Sequence, residues 1–166
     1  MKSVGAVLKN GGTWVGAIKC EVIKMPVVDG RYEAKIGSTY KVEKGVEELK
    51  KKVERSRVIR INNIPMNLLE ELMPLLEGKD LKIILPLGEE RTDELTRLGE
   101  VAVTKARLYH QYDKEEANVG NVGFSDVIFN ISWTDDRIIE ISTMEYSKCV
   151  KCMRSTFDTA WRYAEK

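Results

Sequence analysis

Histidine, cysteine and long apolar runs are scarce in this sequence, and each scarcity excludes a class of protein. The 166 residues include one histidine, so no His-x3-His metal motif exists. The three cysteines lack the spacing of a disulfide framework, which indicates a reducing compartment. No stretch approaches the length of a membrane span, and the apolar run near the start is too short for a signal peptide. We therefore expect a cytoplasmic protein with no membrane partner.

An excess of one charge is also missing. Lysine and arginine number 27 against 26 aspartate and glutamate residues, which gives a net charge of +1. This balance argues against general electrostatic capture of nucleic acid, so nucleic acid is not expected as a partner. The most basic run, Lys50 to Lys52 with Arg55, Arg57 and Arg60, has several glutamates beside it. We interpret it as a solvated helix face.

The first 40 residues have the pattern of β-strands. Asn10-Gly11-Gly12 separates two apolar runs, and Asn-Gly tolerates the positive φ angles of a tight hairpin turn. Asp29-Gly30 offers a second hairpin turn. We predict an N-terminal antiparallel β-meander over residues 1–40, which forms an extension packed on the main domain.

From Glu43 onwards, helical and strand periods alternate. Val46, Leu49 and Val53 recur at helical spacing, and short apolar strands are predicted at 57–61 and 81–86. Asn67, with a glutamate three residues later, resembles a capping box that opens the helix between these strands, and Gly78 is placed to end that helix. This order indicates parallel crossovers. We predict an α/β domain over residues 41–166, with a mixed, largely parallel sheet flanked by helices.

The C-terminal third adds a hairpin and a closing helix. Alternating apolar residues from Val127 to Trp133 predict one strand, and residues 137–142 predict its antiparallel partner. The predicted closing helix covers residues 148–164, with an apolar stripe that includes Phe157 and Trp161.

Residues 109–126 are the least regular segment, which we interpret as a loop. Loops at the strand ends of α/β sheets often bind ligands, so a small-molecule ligand is expected here. The candidate ligand-binding residues are His110, Tyr112, Asp113, Lys114, Asn121 and Ser125. The alternative is a surface loop whose charges are solvated.

Cys149 and Cys152 form the most motif-like pair of residues. A CxxC pair at a helix N-terminus can act as a redox couple, because the helix dipole lowers the pKa of a thiol there. The alternatives are a sensing role, a metal shared across an interface, and no role at all. Since the sequence has no second CxxC pair, we expect neither a bound metal nor a cofactor.

Two stretches carry a resemblance to a known fold. They are YKVEKGVEELKKKVERSRVIRINNIPMNLLEELMPLLEGKDLKIILP, and DVIFNISWTDDRIIEIS followed by STFDTAWRYA. In element order and apolar positions, residues 40–166 resemble a phospholipase D-like half-domain, in particular the non-catalytic effector domain of archaeal TrmB-like transcriptional regulators. The resemblance implies a phospholipase D-like fold, a regulatory or ligand-sensing role and a symmetric homodimer.

The sequence departs from these families at two points. The catalytic signature is His-x-Lys-x4-Asp, whereas the only histidine here gives His110-Gln111-Tyr112. The regulators also carry an N-terminal winged-helix domain, and the strand pattern of residues 1–40 does not match one. We therefore predict a non-catalytic ligand-sensing or regulatory interaction domain of archaeal type. The alternatives are a phosphodiester or ester hydrolase that uses His110, and a thiol-based redox sensor.

Overall fold

The computed structural model describes residues 27–28, 31–32, 37–86, 92–104, 118–135 and 137–166. In this part of the chain, two short strands come first, strands and helices alternate from β3 to β6, and three antiparallel strands and a closing helix follow. The strands are β1 (Val27–Val28), β2 (Arg31–Tyr32), β3 (Thr39–Tyr40), β4 (Val58–Asn62), β5 (Asp80–Pro86), β6 (Glu100–Thr104), β7 (Asn118–Gly123), β8 (Ile128–Thr134) and β9 (Arg137–Met144). The helices are α1 (Val42–Arg55), α2 (Met66–Leu76), α3 (Thr92–Leu98) and α4 (Ser147–Tyr163).

Seven of these strands form one mixed sheet in the order β3-β9-β8-β7-β4-β5-β6. Strands β4, β5 and β6 are parallel, and the other neighbours are antiparallel. The predicted α/β class, with helices flanking a mixed sheet, is confirmed. The parallel part is smaller than expected, because β7 runs antiparallel to β4 and leads into two more antiparallel strands.

The N-terminal part is described only in short pieces. Strands β1 and β2 pair antiparallel across a two-residue connection, as the Asp29-Gly30 turn predicts. The rest of the predicted meander, including the turn at Asn10, lies outside the described residues. Strand β3 is the edge of the large sheet, where Ser38 N donates a hydrogen bond to Thr143 Oγ1 (3.0 Å). The domain boundary at residue 40 stays a prediction.

Helices α1 and α2 cover one face of the sheet. Their apolar stripes pack against alternate strand residues such as Ile59 and Ile83. An added Cβ at Gly45 would lie 2.8 Å from Ile141 Cβ, so this glycine lets α1 approach β9 closely. The fully buried helix residues of this core include Leu49, Val53, Leu68, Leu69, Leu72 and Leu76.

Helix α4 covers part of the opposite face. Phe157 and Trp161 pack on Ile84 and Ala102, which alternate along their strands with residues of the first core. The two aromatic rings are stacked, with centroids 6.1 Å apart and an interplanar angle of 15°. The predicted apolar stripe of the closing helix is therefore confirmed as its packing surface.

The ends of α2 differ in how well the sequence predicted them. The helix begins at Met66 with Pro65 as its N-cap residue, two positions before Asn67, the N-cap residue of the predicted capping box. It ends before Gly78, whose φ of 73° favours glycine, as predicted. No helix within the described ranges is long and apolar enough to span a membrane.

Candidate functional site

The structure separates the predicted ligand-binding residues. His110, Tyr112, Asp113 and Lys114 lie outside the described residues, so their role stays a prediction. On either side of this segment, Thr104 is the last residue of β6 and Asn118 is the first residue of β7. Both lie where the parallel strands have their carboxyl ends.

Asn121 and Ser125 lie in different places. Residues 118–123 form the central strand β7, so the interpretation of the whole segment 109–126 as a loop is wrong. Asn121 is inside this strand. Ser125 is exposed in the tight turn before β8, which the hydrogen bond from Phe124 N to Val127 O closes (2.9 Å). Four residues of extended chain correspond to about 13 Å. Asn121 therefore lies within β7, whereas Ser125 lies in the turn beyond the end of that strand.

The neighbours of Asn121 on the adjacent strands are also asparagines. Asn121 is in register with Asn62 of β4 on one side and with Asn130 of β8 on the other. Side chains in register project from the same face of a sheet and are about 5 Å apart. We call Asn62, Asn121 and Asn130 the asparagine row. Ser142 of β9 and Thr39 of β3 continue the same line of residues to the edge of the sheet.

The asparagine row changes in exposure along its length. Asn62 is buried with 6% of its surface exposed, whereas Asn121 and Asn130 are half-buried. On the other side of Asn62, the residue in register is Ile84, which packs under α4. The row therefore begins beside the α4 core and becomes more accessible towards β9.

The backbone at the end of β4 is fixed beside this row. Asn63 has a φ of 54°, a left-handed conformation that asparagine tolerates better than most residues. Its N–H donates to Ile84 O (3.0 Å), and its Nδ2 donates to Val119 O (3.4 Å). An added Cβ at Gly120 would lie 1.2 Å from Asn63 O, so only glycine fits at this position of β7. Gly120 therefore has a packing role, and sequence analysis missed it.

Carboxamides give the asparagine row a defined chemistry. Each asparagine offers two N–H donors and one carbonyl acceptor, and none ionises at ordinary pH. Such groups bind and orient a polar ligand, but they cannot act as general acid or base. The arrangement suits recognition of an uncharged polar molecule. A signal for it existed in the sequence, since Asn130 interrupts the apolar run of β8 and Asn62 ends the apolar run of β4.

The basic run of α1 is paired with carboxylates. Lys50 Nζ lies 2.7 Å from Glu71, and Lys52 Nζ lies 2.8 Å from Asp126. Lys51 contacts Glu47 at 2.8 Å, and the hydrogen bond between them is the main cause that lowers the pKa of Glu47 and raises that of Lys51. The charge of this face is therefore compensated within the protein.

Another ion pair joins the middle of β4 to the beginning of β5. Arg60 Nη1 donates to Asp80 Oδ1 (2.9 Å), to Asp80 O (2.9 Å) and to Ile59 O (3.0 Å). This hydrogen bond from Arg60 lowers the pKa of the Asp80 carboxyl group, with further Coulombic contributions from Arg60 and Lys82. The pair links two neighbouring parallel strands.

The outward surface of α4 differs from that of α1. The helix sequence contains four basic residues and one acidic residue, and its first turn has no acidic residue. Lys148, Lys151 and Arg162 are exposed, and none of them takes part in an ion pair among the described residues. Tyr163 is exposed over 85% of its surface.

Cys149 and Cys152 are both half-buried on α4, one turn apart. Within the described ranges, no group of three His, Cys, Asp or Glu side chains could hold a metal ion. The redox role of these cysteines stays a prediction.

The fold defines a class of protein, that of mixed α/β domains with a phospholipase D-like architecture. Solved structures of other proteins share it. TrmBL2, an archaeal chromatin protein whose structure shows a novel mode of DNA binding, aligns with a TM-score of 0.52 and 14% identity over 81% of this chain. The aligned region is 55% of the TrmBL2 chain, so this chain spans about half of it.

The other two structures align over most of their own length. NucT from Helicobacter pylori has a TM-score of 0.53 and 9% identity, over 78% of this chain and 97% of its own. Nuc from Salmonella typhimurium, a phospholipase D family member, has a TM-score of 0.54 and 8% identity, over 78% of this chain and 95% of its own. No protein-family model and no curated protein sequence matches the chain.

These similarities confirm the predicted fold and correct one prediction. The expected likeness to phospholipase D-like domains and to a TrmB-like protein is confirmed at the level of the fold. The expectation that nucleic acid is not a partner is contradicted, because a chromatin protein that binds DNA has this fold. The balanced net charge therefore was not a sufficient reason to exclude nucleic acid.

Proposed function

We propose that this chain is a non-catalytic regulatory domain that binds a small, uncharged polar ligand at the asparagine row. The observation that carries the proposal is the register of Asn62, Asn121 and Asn130 on three adjacent strands. Ligands of open α/β sheets bind at the carboxyl ends of parallel strands, and Asn62 is the last residue of β4. The fold shared with TrmBL2 favours a regulatory setting on DNA.

The residues that follow the only histidine support a non-catalytic role. The lysine of the phospholipase D signature is replaced by Tyr112 after the only histidine. Without that signature, the covalent chemistry of the catalytic relatives has no support in this chain. The homodimer implied by the resemblance stays a prediction.

A thermal-shift panel of nucleosides, polyols and neutral amides, with nucleotides as charged counterparts, tests the ligand site. We expect an uncharged compound to raise the melting temperature, and Asn121→Asp to abolish the shift by placing a charge in the row. Ser132→Ala is the control, since Ser132 lies on the same strand as Asn130 but outside the row. Equal shifts in both variants would contradict the proposed site.

A second assay separates this function from the alternative hydrolase. Wild-type protein and His110→Ala are incubated with bis(4-nitrophenyl) phosphate and 4-nitrophenyl acetate. We expect the same background release of nitrophenol from both proteins. Turnover that disappears only in His110→Ala would overturn the non-catalytic assignment.

A further inference from the structure

The basic residues of the two long helices differ in how far acidic residues compensate their charge. Helix α1 has five basic and four acidic residues, and its central lysines are held in ion pairs. Helix α4 has four basic residues and only Asp158 as an acidic one. The excess positive charge of the described residues is thus concentrated on α4, although the net charge of the chain is close to zero.

Three of the α4 residues share one line. At 100° per residue, Lys148, Lys151 and Arg162 fall within roughly 60° of arc, on the side opposite Phe157, and Asp158 lies at the border of this arc. They extend over about 21 Å of helix, at 1.5 Å per residue. We define these three residues as the α4 basic line. Because Phe157 and Trp161 hold α4 on the sheet, this line faces away from the body of the protein.

The basic line begins at a position that disfavours helix stability. Lys148 lies in the first turn of α4, where the helix dipole is positive and acidic residues are preferred, and Lys151 follows one turn later. Helix formation therefore does not explain their presence. A polyanion placed along this line would offset the repulsion between these basic side chains and the positive end of the helix dipole.

We propose that the α4 basic line binds the phosphate backbone of double-stranded DNA. B-form DNA carries about one negative charge per 1.7 Å of axis, so a rigid 21 Å line faces several phosphates at once. Tyr163 is also exposed, but it lies about 100° around the helix from Arg162 and therefore outside this line. A duplex fits better than a single strand, which is bound through a groove with several stacked aromatic residues. The inference goes beyond the ligand site and does not depend on it.

Fluorescence anisotropy with a labelled 20-base-pair duplex tests the inference on the full chain. Between 50 and 200 mM KCl, we expect the logarithm of the wild-type association constant to fall linearly with the logarithm of salt concentration. The variant Lys148→Ala/Lys151→Ala/Arg162→Ala should lower this slope by about three units and weaken binding at 50 mM KCl by about tenfold or more.

A matched variant removes three exposed charges from the other side of the sheet. It is Lys41→Ala/Lys44→Ala/Arg55→Ala, on and beside α1. We expect its affinity to stay within about twofold of wild type. Circular dichroism of both variants checks that the fold is kept, and Lys148→Arg/Lys151→Arg/Arg162→Lys should retain binding.

Four outcomes would overturn the inference. They are absence of wild-type binding at 50 mM KCl, equal losses in both triple variants, tighter binding to single-stranded RNA, and tighter binding to vesicles that contain phosphatidylserine. Each leaves the proposed ligand site standing, because the thermal-shift assay contains no nucleic acid. Failure of the ligand site likewise leaves duplex binding unaffected.

Discussion

Gly120 is the residue whose substitution the structure restricts most clearly among the positions of β7. A methyl group there would meet the backbone oxygen of Asn63, which cannot move without breaking its hydrogen-bonded corner. We expect Gly120→Ala to destabilise the protein by about 3 kcal/mol. This corresponds to a fall in melting temperature of roughly 6 to 12 °C, measured by circular dichroism.

Gly123 provides the matched control in the same strand. The nearest atom to an added Cβ there is Arg60 O at 3.6 Å, an ordinary contact. Gly123→Ala should therefore change the free energy of unfolding by no more than about 0.5 kcal/mol. Equal destabilisation by the two variants would show that the close approach of Asn63 is not the cause.

At the residue scale, the sequence identified Asn121 as a polar candidate residue but did not predict where in the fold it lies. Asn121 was selected as a polar residue of an irregular segment, and the structure places it in a strand. Its partners Asn62 and Asn130 were not selected, because they are 59 residues before it and 9 after it in the sequence. The β7–β8 hairpin brings Asn121 and Asn130 together, but Asn62 joins them only through the pairing of β7 with β4, which is distant in the sequence. A single sequence does not contain that pairing.

At the scale of elements, the Arg60–Asp80 pair joins two parallel strands and predicts a pH effect. The pKa of Asp80 is lowered in the folded state, so its contribution to stability is present above the ordinary carboxyl pKa, about 3.9. That contribution is lost as the pH falls through the lower folded-state pKa. It is below about 1 kcal/mol, because 58% of the Asp80 side chain is exposed.

Urea unfolding at pH 7 and pH 3 measures this effect. We expect Asp80→Asn to be less stable than wild type at pH 7, with a smaller difference at pH 3. In the background of Arg60→Met, the same substitution should cause no pH-dependent difference. A difference that persists without Arg60 would assign the lowered pKa to another group.

Helix α4 depends on Trp161 for its attachment. Trp161 is 7% exposed, packs on Ala102, and has the ammonium groups of Lys82 and Lys166 at 5.1 and 4.7 Å from its ring centroid. We expect Trp161→Ala to cost about 3 kcal/mol in the free energy of unfolding. The exposed Tyr163, two residues later, gives the control. Tyr163→Ala should change stability by less than about 0.5 kcal/mol in the same urea titration.

Strand β7 explains why prediction of elements failed in one place and succeeded elsewhere. The apolar period of α4 and of β8 follows from burial on one side, and it is visible in the sequence. The sequence NVGNVG has two glycines and two asparagines, which are rare in strands. It forms a strand because β4 and β8 supply hydrogen bonds on both edges, and because glycine is required beside Asn63. Both causes are tertiary interactions, which the local sequence pattern of β7 does not show.

At the scale of the whole molecule, the asparagine row and helix α4 share one face of the sheet. Asn62 is in register with Ile84, and Ile84 packs directly against Phe157 and Trp161. A ligand on the row therefore adjoins the core that supports the α4 basic line. If both proposed sites bind, any effect of the ligand on DNA affinity must be matched by an equal effect of DNA on ligand affinity.

Anisotropy titrations with and without the most stabilising neutral compound of the thermal-shift panel measure this coupling. We expect that compound to change the dissociation constant of the duplex by about fivefold, the lower end of typical coupling energies. Calorimetric titration of the compound into the DNA complex should give the same factor. Phe157→Leu, which shortens the contact with Ile84, should reduce both factors together. Coupling factors of one in the wild-type protein would show that the two surfaces act independently.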